Sequence, residues 1–350
     1  MKSFDLMPYL DVPNEIPKGY IPLSEEPSFN PTRDLQLAKP EKTWTMEELG
    51  YSSFDIAESG SSLAFTEPFQ ILSEEGVLRL QEVVRLLRGH SQGGGSERSE
   101  SNSKLIYVAG GVYRSRFLRD LCGNIEIAEF LSELAGIPLA PHSLPSQQIY
   151  INYPPDRIDE HVDRWHADSI GFDYVMMVTD PAEFEGGEFD VFLGTTTQAG
   201  EILGVEESRL NLRSNRELPA ERIIGFKFPA AGYGIFQQGF RVVHRARRLN
   251  KPGNRITVVP GYVSRKPHSL DVTDLENIST YTEEAIGSEI IRHGIWRCVG
   301  KLVQMLDPDV PQELQDQRRN LRNALHEAEK ALNVTRSIGG YSDRGNIAEE

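Results

Sequence analysis

The middle third of this 350-residue chain is a series of short segments rich in β-branched and aromatic residues, each bounded by Gly, Pro, Asn or Asp. Such segments are typical of strands. The predicted strands are Gln148–Tyr153, Phe172–Val178, Gly187–Phe192, Arg222–Phe228, Gly234–Gln237 and Arg255–Val263. Strands this short and this numerous indicate a sandwich or a barrel, and a double-sheet jelly roll accommodates them well.

Helical patterns lie on both sides of these strands. One predicted helix begins after an N-cap at Ser73, and another begins after Asn124 and ends at Gly136. Two more follow the strands, over residues 284–306 and 311–332. We therefore predict an α+β fold, with a β core flanked by N- and C-terminal helices.

The chain divides by composition into three parts of one structural domain. Residues 1–60, rich in Pro, Glu and Ser, are predicted to form an extended N-terminal arm. Residues 61–270 hold the β core and its N-terminal helices, interrupted by a flexible Gly- and Ser-rich loop at 91–103. Residues 271–350 form a C-terminal helical extension. The last helix carries leucines among many polar residues, which indicates a surface element or a homodimer contact: Leu314, Leu321, Leu325 and Leu332.

Charge and composition narrow the choice of partners. The formal net charge of −15 disfavours binding to nucleic acid or to anionic lipid, because both need a basic face. No stretch approaches the length of a membrane span, and the N-terminus lacks the apolar core of a signal peptide. Cys122 and Cys298 suit reduced core thiols of a cytoplasmic protein, although one bridge between them stays open. A small molecule is the expected partner.

Trp165-His166-Ala167-Asp168 is the first segment that carries chemistry. Alternate residues of a strand face the same side, so His166 and Asp168 can point together into a barrel. An imidazole and a carboxylate at this spacing form two adjacent corners of a metal site. A second histidine from a distant strand would complete the two-histidine, one-carboxylate face that non-haem Fe(II) oxygenases use.

The segment from Tyr233 to Thr257 supplies that histidine. A predicted strand leads to His244, a turn follows, and Arg255 opens the next strand, so we expect His244 and Arg255 on neighbouring strands. A guanidinium there can grip a carboxylate with two hydrogen bonds, and Thr257, on the same face, can add a hydroxyl. Tyr150 and Asn152 share a face of a strand that is expected to line the same pocket.

A second His-x-Asp pair, His161 and Asp163, lies five residues earlier. Because five is odd, the two pairs would face opposite sides of a continuous strand. We favour His166 and Asp168, since a hydrophobic strand follows them closely. His161 and Asp163 are then expected in a loop that shapes the substrate entrance.

The combined pattern resembles the Fe(II)/2-oxoglutarate-dependent dioxygenases, in which His-x-Asp is followed by a distant His and then by Arg-x-Ser/Thr. The Trp before His166 is similar to the phytanoyl-CoA hydroxylase branch, and Glu185-Gly-Gly-Glu188 resembles a segment of prolyl-hydroxylase-like members. The resemblance covers roughly residues 145 to 265. It implies a double-stranded β-helix of the jelly-roll or cupin type, Fe(II) on His166, Asp168 and His244, and 2-oxoglutarate on Arg255 with Thr257.

The activity that the resemblance implies is oxidation of a carbon, most simply its hydroxylation, in a small-molecule metabolite. O₂ and 2-oxoglutarate are consumed, and succinate and CO₂ are released. Halogenating relatives lack the carboxylate ligand, so Asp168 favours hydroxylation, desaturation or ring-forming oxidation. Three alternatives stay open: a protein side chain or a carrier-bound acyl group as substrate, a catalytically silent cupin-like binding protein, and hydrolysis at a zinc ion.

Overall fold

The computed structural model describes residues 6–91, 106–154, 158, 161–207, 210, 216–280, 285–307, 309, 313–336 and 338. Most of the predicted loop at 91–103 lies outside these residues. The helices are α1 (Pro31–Asp34), α2 (Ser53–Ser59), α3 (Glu74–Leu87), α4 (Gly111–Arg114), α5 (Arg116–Cys122), α6 (Ile125–Ala135), α7 (Thr196–Leu203), α8 (Leu275–Ser279), α9 (Ile286–Gln304) and α10 (Leu314–Thr335).

Thirteen strands are described, and every pairing between them is antiparallel. They are β1 (Thr43–Thr45), β2 (Leu63–Thr66), β3 (Phe69–Gln70), β4 (Ile106–Val108), β5 (Leu139–Pro141), β6 (Tyr150–Tyr153), β7 (Phe172–Met177), β8 (Phe189–Phe192), β9 (Ile223–Phe226), β10 (Tyr233–Gln237), β11 (His244–Ala246), β12 (Thr257–Val259) and β13 (Gly261–Ser264). The mixture of helices with antiparallel strands confirms the α+β prediction.

The strands form two sheets of unequal size. The large sheet runs in the order β1-β2-β10-β7-β12-β6-β4, with β13, β5 and β3 attached beside this path. The small sheet runs β11-β8-β9. Each of the six predicted strands is present within a few residues of its expected position, except that the last divides at Pro260 into β12 and β13.

Alternation along the strands gives the large sheet two different faces. On β7, Tyr174 and Met176 pack in the main core with the helices α3, α5 and α6. Val175 and Met177 point the other way and pack against Phe189 of the small sheet. The large sheet is thus covered by helices on one face and by the small sheet on the other, as expected for a layered β core.

The helix ends follow the local signals in the sequence. The Ser73 side chain accepts from the backbone N–H of Gly76, as predicted, and α3 buries Leu80 and Val84. The Asn124 side chain caps α6 in the same way, and Gly136 ends that helix in the left-handed conformation at φ 68°. The two long C-terminal helices, α9 and α10, are also present and pack on each other.

The first 60 residues differ from the predicted extended arm. The described part contains α1, α2 and the strand β1, which pairs with β2 at the edge of the large sheet. Trp44 of β1 stacks on Phe65 with ring centroids 4.7 Å apart, and both side chains are buried. Pairing with the sheet and the burial of Trp44, which composition does not reveal, order this segment.

Cys122 and Cys298 are both buried and unbridged. Among the described residues, no helix combines the length and the apolar character that a membrane span requires.

The crossing of α1 and α3 yields a stability prediction. A β-carbon on Gly76 would lie 2.2 Å from the backbone oxygen of Asp34. Gly-to-Ala changes inside helices usually stabilise by roughly 1 kcal/mol. We expect Gly76→Ala instead to lower the free energy of unfolding by about 1–3 kcal/mol, because the added methyl overpacks a backbone contact. The measurement is urea unfolding, with Gly89→Ala as control, since nothing lies within 4 Å of a β-carbon there. Equal effects of the two changes would contradict this account.

Candidate metal centre

The centre is built on a direct backbone pairing of two histidines that are far apart in sequence. The N–H of His166 donates to the carbonyl of His244 at 3.0 Å, and the N–H of His244 donates back at 2.9 Å. His244 begins β11, whereas His166 makes only an isolated bridge rather than the predicted strand. Residues that are directly opposite in an antiparallel pair place their side chains together. The two imidazole rings are accordingly 4.3 Å apart between centroids.

Backbone carbonyls fix which nitrogen each ring presents. The Nδ1 atom of His166 lies 2.7 Å from the oxygen of Arg164, and Nδ1 of His244 lies 2.9 Å from the oxygen of Val242. A carbonyl oxygen only accepts, so Nδ1 carries the hydrogen in both rings. Each Nε2 lone pair is then available, which is the form in which histidine ligates a metal.

Asp168 completes the cluster. Its Oδ1 lies 3.5 Å from Nε2 of His166, and its Oδ2 lies 3.5 Å from Nε2 of His244. Ligand atoms of these three residues lie within 4.8 Å of one another. One carboxylate and two imidazoles converging in this way fit a divalent transition metal with open positions. The structure therefore brings together the three predicted ligands.

Gln237 links Asp168 to a second buried carboxyl group, that of Asp173. The Nε2 of Gln237 donates to Oδ2 of Asp168 at 3.3 Å and to Oδ1 of Asp173 at 3.0 Å. Burial and the nearby Asp168 charge raise the pKa of Asp173 well above its usual value. Burial alone would raise the pKa of Asp168, but the neighbouring His244 and His166 outweigh it and lower that pKa. Asp168 is thus the more acidic carboxyl group of the pair.

Burial also determines the pKa of His244. Removal from water, together with the neighbouring His166, lowers the pKa of His244 to about 4. The ring stacks against Phe189 with centroids 5.1 Å apart, which contributes to that burial. At neutral pH the imidazole is uncharged and competent to bind a metal.

The cluster opens into a cavity of about 130 Å³ between the two sheets. Strands β6, β7 and β12 of the large sheet line one side, and β8 and β11 of the small sheet line the other. His244 and Arg255 were expected on neighbouring strands. They instead face the cavity from opposite sheets, because β11 pairs with β8 and the chain then crosses to β12 of the large sheet.

Arg255 is a buried cation in this cavity, with 3% of its surface exposed. Burial lowers its pKa to about 10, so it remains charged at neutral pH. Its Nε donates to the carbonyl of Gly187 at 2.9 Å. Gly187 has φ 71°, and a β-carbon there would lie 2.7 Å from Cδ of Arg255. Gly187 therefore lets the backbone approach the Arg255 side chain closely, and Gly186, also at positive φ, lies against the backbone of Arg248 and Asn250, so each glycine that the sequence resemblance singled out has a close contact.

Thr257, Tyr150 and Asn152, the remaining predicted residues, line the same cavity. Thr257 of β12 pairs directly with Asn152 of β6, so their side chains are neighbours on the cavity face. Tyr150 is two residues away on β6, and its hydroxyl accepts a hydrogen bond from Gln147 at 2.9 Å. The structure places all seven predicted site residues around one cavity.

His161 and Asp163, the second His-x-Asp pair, lie in different surroundings. His161 lies outside the cavity lining, where its Nε2 is 3.2 Å from Glu217 and 3.1 Å from Arg245. Asp163 does line the cavity, and its Oδ2 is 3.6 Å from Nε2 of His166. The described ligand cluster contains Asp168 and not Asp163. Asp163 therefore contributes a carboxylate to the cavity wall. The sequence had predicted it in a loop at the substrate entrance.

Sequence reasoning missed a buried connection between the cavity and α9. Gln147, which lines the cavity, follows Ser146 in a short 3₁₀ turn. Both the N–H and the hydroxyl of Ser146 donate to Glu289 of α9, at 2.9 and 2.6 Å, and Tyr113 donates to the other oxygen of Glu289 at 2.9 Å. No local signal marks Glu289, which stands in a helix with an ordinary amphipathic pattern.

No family model and no curated protein matches this chain. Solved structures do resemble it. The non-haem alpha-ketoglutarate-dependent carbocyclase SnoK from nogalamycin biosynthesis is 19% identical, covers 65% of this chain and 87% of its own, and has a TM-score of 0.43. The epimerase SnoN from the same biosynthesis is 20% identical over 57% and 78%, with a TM-score of 0.41.

EvdO2 from Micromonospora carbonacea var. aurantiaca, complexed with 2-oxoglutarate, is 14% identical over 61% of this chain and 91% of its own, with a TM-score of 0.39. SnoK and SnoN are named as members of the class of enzyme that the sequence motif resembles.

The cluster predicts a metal-binding phenotype. We expect the purified protein to bind about one Fe(II) or Co(II) per chain, and His166→Ala and His244→Ala to abolish binding, because two remaining ligands hold a labile divalent ion poorly. Metal analysis and the visible spectrum of the Co(II) form are the measurements. His161→Ala is the matched control and should bind normally. Loss of metal in the control, with retention in His166→Ala, would show that the register is wrong.

Proposed function

We propose that this chain is an Fe(II)- and 2-oxoglutarate-dependent oxygenase that oxidises a carbon of a small-molecule substrate, releasing succinate and CO₂. One observation carries the proposal. Two imidazoles and one carboxylate converge at the wall of a cavity that also holds a buried, charged Arg255. A buried cation without a ligand is costly, so a cavity that maintains one is suited to an anionic co-substrate.

The proposed iron ligands are Nε2 of His166, Nε2 of His244 and a carboxylate oxygen of Asp168. When bound, iron would supply the redox chemistry that couples O₂ and 2-oxoglutarate to oxidation of the substrate. The chain holds these groups in place before any metal arrives, through the carbonyls of Arg164 and Val242 and the amide of Gln237. Such fixed outer contacts orient metal ligands and tune their basicity.

The proposed co-substrate site lies on the large sheet. Arg255 would bind the carboxylate of 2-oxoglutarate that is remote from the metal, and the hydroxyl of Thr257 would add a hydrogen bond. Tyr150 and Asn152, on the adjoining strand β6, would line the same chamber. Apolar side chains complete its walls and limit the access of water: Val175, Phe189, Val259 and Ile170.

We propose a small molecule as the primary substrate. Hydroxylation is the simplest outcome for a site that keeps its carboxylate ligand, Asp168.

We further propose that the two sheets constitute a double-stranded β-helix of the jelly-roll type, spanning residues 61–270 as the oxygenase core. Two reduced, buried thiols accord with a cytoplasmic location.

The direct test is turnover. The protein, loaded anaerobically with Fe(II), is exposed to O₂ with 2-oxoglutarate and a metabolite library. We expect succinate to form at a rate that one library member raises, and that compound to gain one oxygen atom or lose two hydrogens by mass spectrometry. Stable binding of iron without 2-oxoglutarate consumption under any condition would favour a silent binding protein instead.

The co-substrate assignment gives a separate prediction. Arg255→Lys keeps the charge but removes the planar fork, so the apparent KM for 2-oxoglutarate should rise by about tenfold or more, equivalent to at least ~1.4 kcal/mol. Iron binding should persist. Arg248→Lys, at an exposed neighbouring position, is the matched control and should leave the KM unchanged. If both variants keep the wild-type KM, Arg255 does not bind the co-substrate.

A further inference from the structure

The helix α10 carries a line of leucines that the described part of the chain leaves exposed. Leu314, Leu321, Leu325 and Leu332 retain 60%, 43%, 47% and 54% of their surface. At 100° per residue they fall within an arc of about 40°. The residues that α10 buries, Ala324 and Ala331, lie on a different side, about 90° away on the same helical wheel. The leucine line is thus separate from the face that packs on α9.

The spacing of these leucines is symmetric. Leu314 and Leu332 stand nine residues before and after Asn323, and Leu321 and Leu325 stand two residues before and after it. A second α10 could lie antiparallel to the first, with the twofold axis crossing the leucine line at the height of Asn323. Each leucine would then stand opposite a leucine of the other copy. The seven-, four- and seven-residue steps are those of a coiled-coil seam. The seam would extend about 27 Å along the helix.

Charges beside the leucines are complementary in the same register. Arg318 and Glu329 lie on one flank of the line, about 40–60° from Leu314 on the wheel. Arg318 is five residues before Asn323 and Glu329 is six residues after it, so the antiparallel arrangement puts each Arg318 next to Glu329 of the other copy. Within the part of the chain that the structure describes, neither has an ion-pair partner.

The opposite orientation is disfavoured by the same residues. A parallel pair would still align leucine with leucine, but it would put Arg318 level with Arg318 and Glu329 level with Glu329 across the seam, so neither ion pair could form. Like charges across a helix seam repel, and flanking charges commonly decide the orientation of paired helices. The pattern of charges therefore selects the antiparallel alternative.

We infer that α10 is an isologous docking surface whose occupant is α10 of a second copy of this chain, in an antiparallel seam centred on Asn323. The twofold relation makes the contact self-complementary and closed, so it yields a dimer rather than a chain of copies. This inference is independent of the proposed oxygenase activity. A single helix pair is smaller than a standard interface of about 1,600 Å², so the dissociation constant should be on the order of micromolar.

Sedimentation equilibrium of the full chain, from about 1 to about 200 μM, tests this contact. We expect a monomer–dimer equilibrium. Leu321→Glu and Leu325→Glu should each weaken it at least tenfold without changing the circular dichroism, because both side chains are already exposed. Ile295→Glu is the control: it changes an equally exposed apolar residue, on α9, and should have no effect.

A charge swap tests the register. Arg318→Glu and Glu329→Arg should each weaken the dimer, and the two changes combined in one chain should restore it, because both ion pairs re-form with reversed polarity. A chain that stays monomeric throughout the concentration range overturns the inference. So does a dimer that Ile295→Glu disrupts while Leu321→Glu does not. Single charge variants that dimerise as the wild type does would rule out the antiparallel seam.

Discussion

The pairing of His166 with His244 is the contact on which the rest of the site depends. Two backbone hydrogen bonds, rather than the side chains, bring these residues together. The pairing adds His166 to the small sheet as a bridge beside β11. It sets both imidazoles on the same face of that sheet. Metal ligation is weak unless the donors already converge, so the cost of assembling them is met during folding. A one-residue slip of the segment that holds His166 would turn its ring out of the cavity, while β8 keeps His244 in place.

Asp168 shows how the surrounding charges prepare the same centre. The site contains three carboxylates, at Asp163, Asp168 and Asp173, and mutual repulsion would raise the free energy of ionising all of them. Gln237 joins Asp168 to Asp173, and burial with the neighbouring charge raises the pKa of Asp173 while the histidines lower that of Asp168. The centre therefore favours ionisation of the carboxyl group that stands beside the two histidines.

Residues that act through local patterns could be predicted from the sequence, and residues that act through tertiary contacts could not. His166, His244 and Arg255 belong to a spaced motif, so their convergence was expected. Asp173 and Glu289 gain their roles from partners far along the chain, and nothing in their own segments marks them. Several missed strands, such as β1 and β4, have three residues, too few to show alternation. The helix α7 was missed although it has local signals, a capping box at Thr195 and a terminal Gly204.

The C-terminal helix α9 supports the site from outside the β core. Glu289 of α9 holds the turn that carries Gln147 into the cavity. A second group of buried hydrogen bonds joins His293 of α9 to Asp271 at 2.6 Å and to Ser143 at 2.5 Å. Paired buried polar groups of this kind are costly to separate, so they tie α9 rigidly to the segment before β6. The residues around the two sheets provide the metal ligands and Arg255, while α9 holds the turn that places Gln147 in the remaining wall. Substrate choice is therefore expected to depend on that wall, which no motif describes.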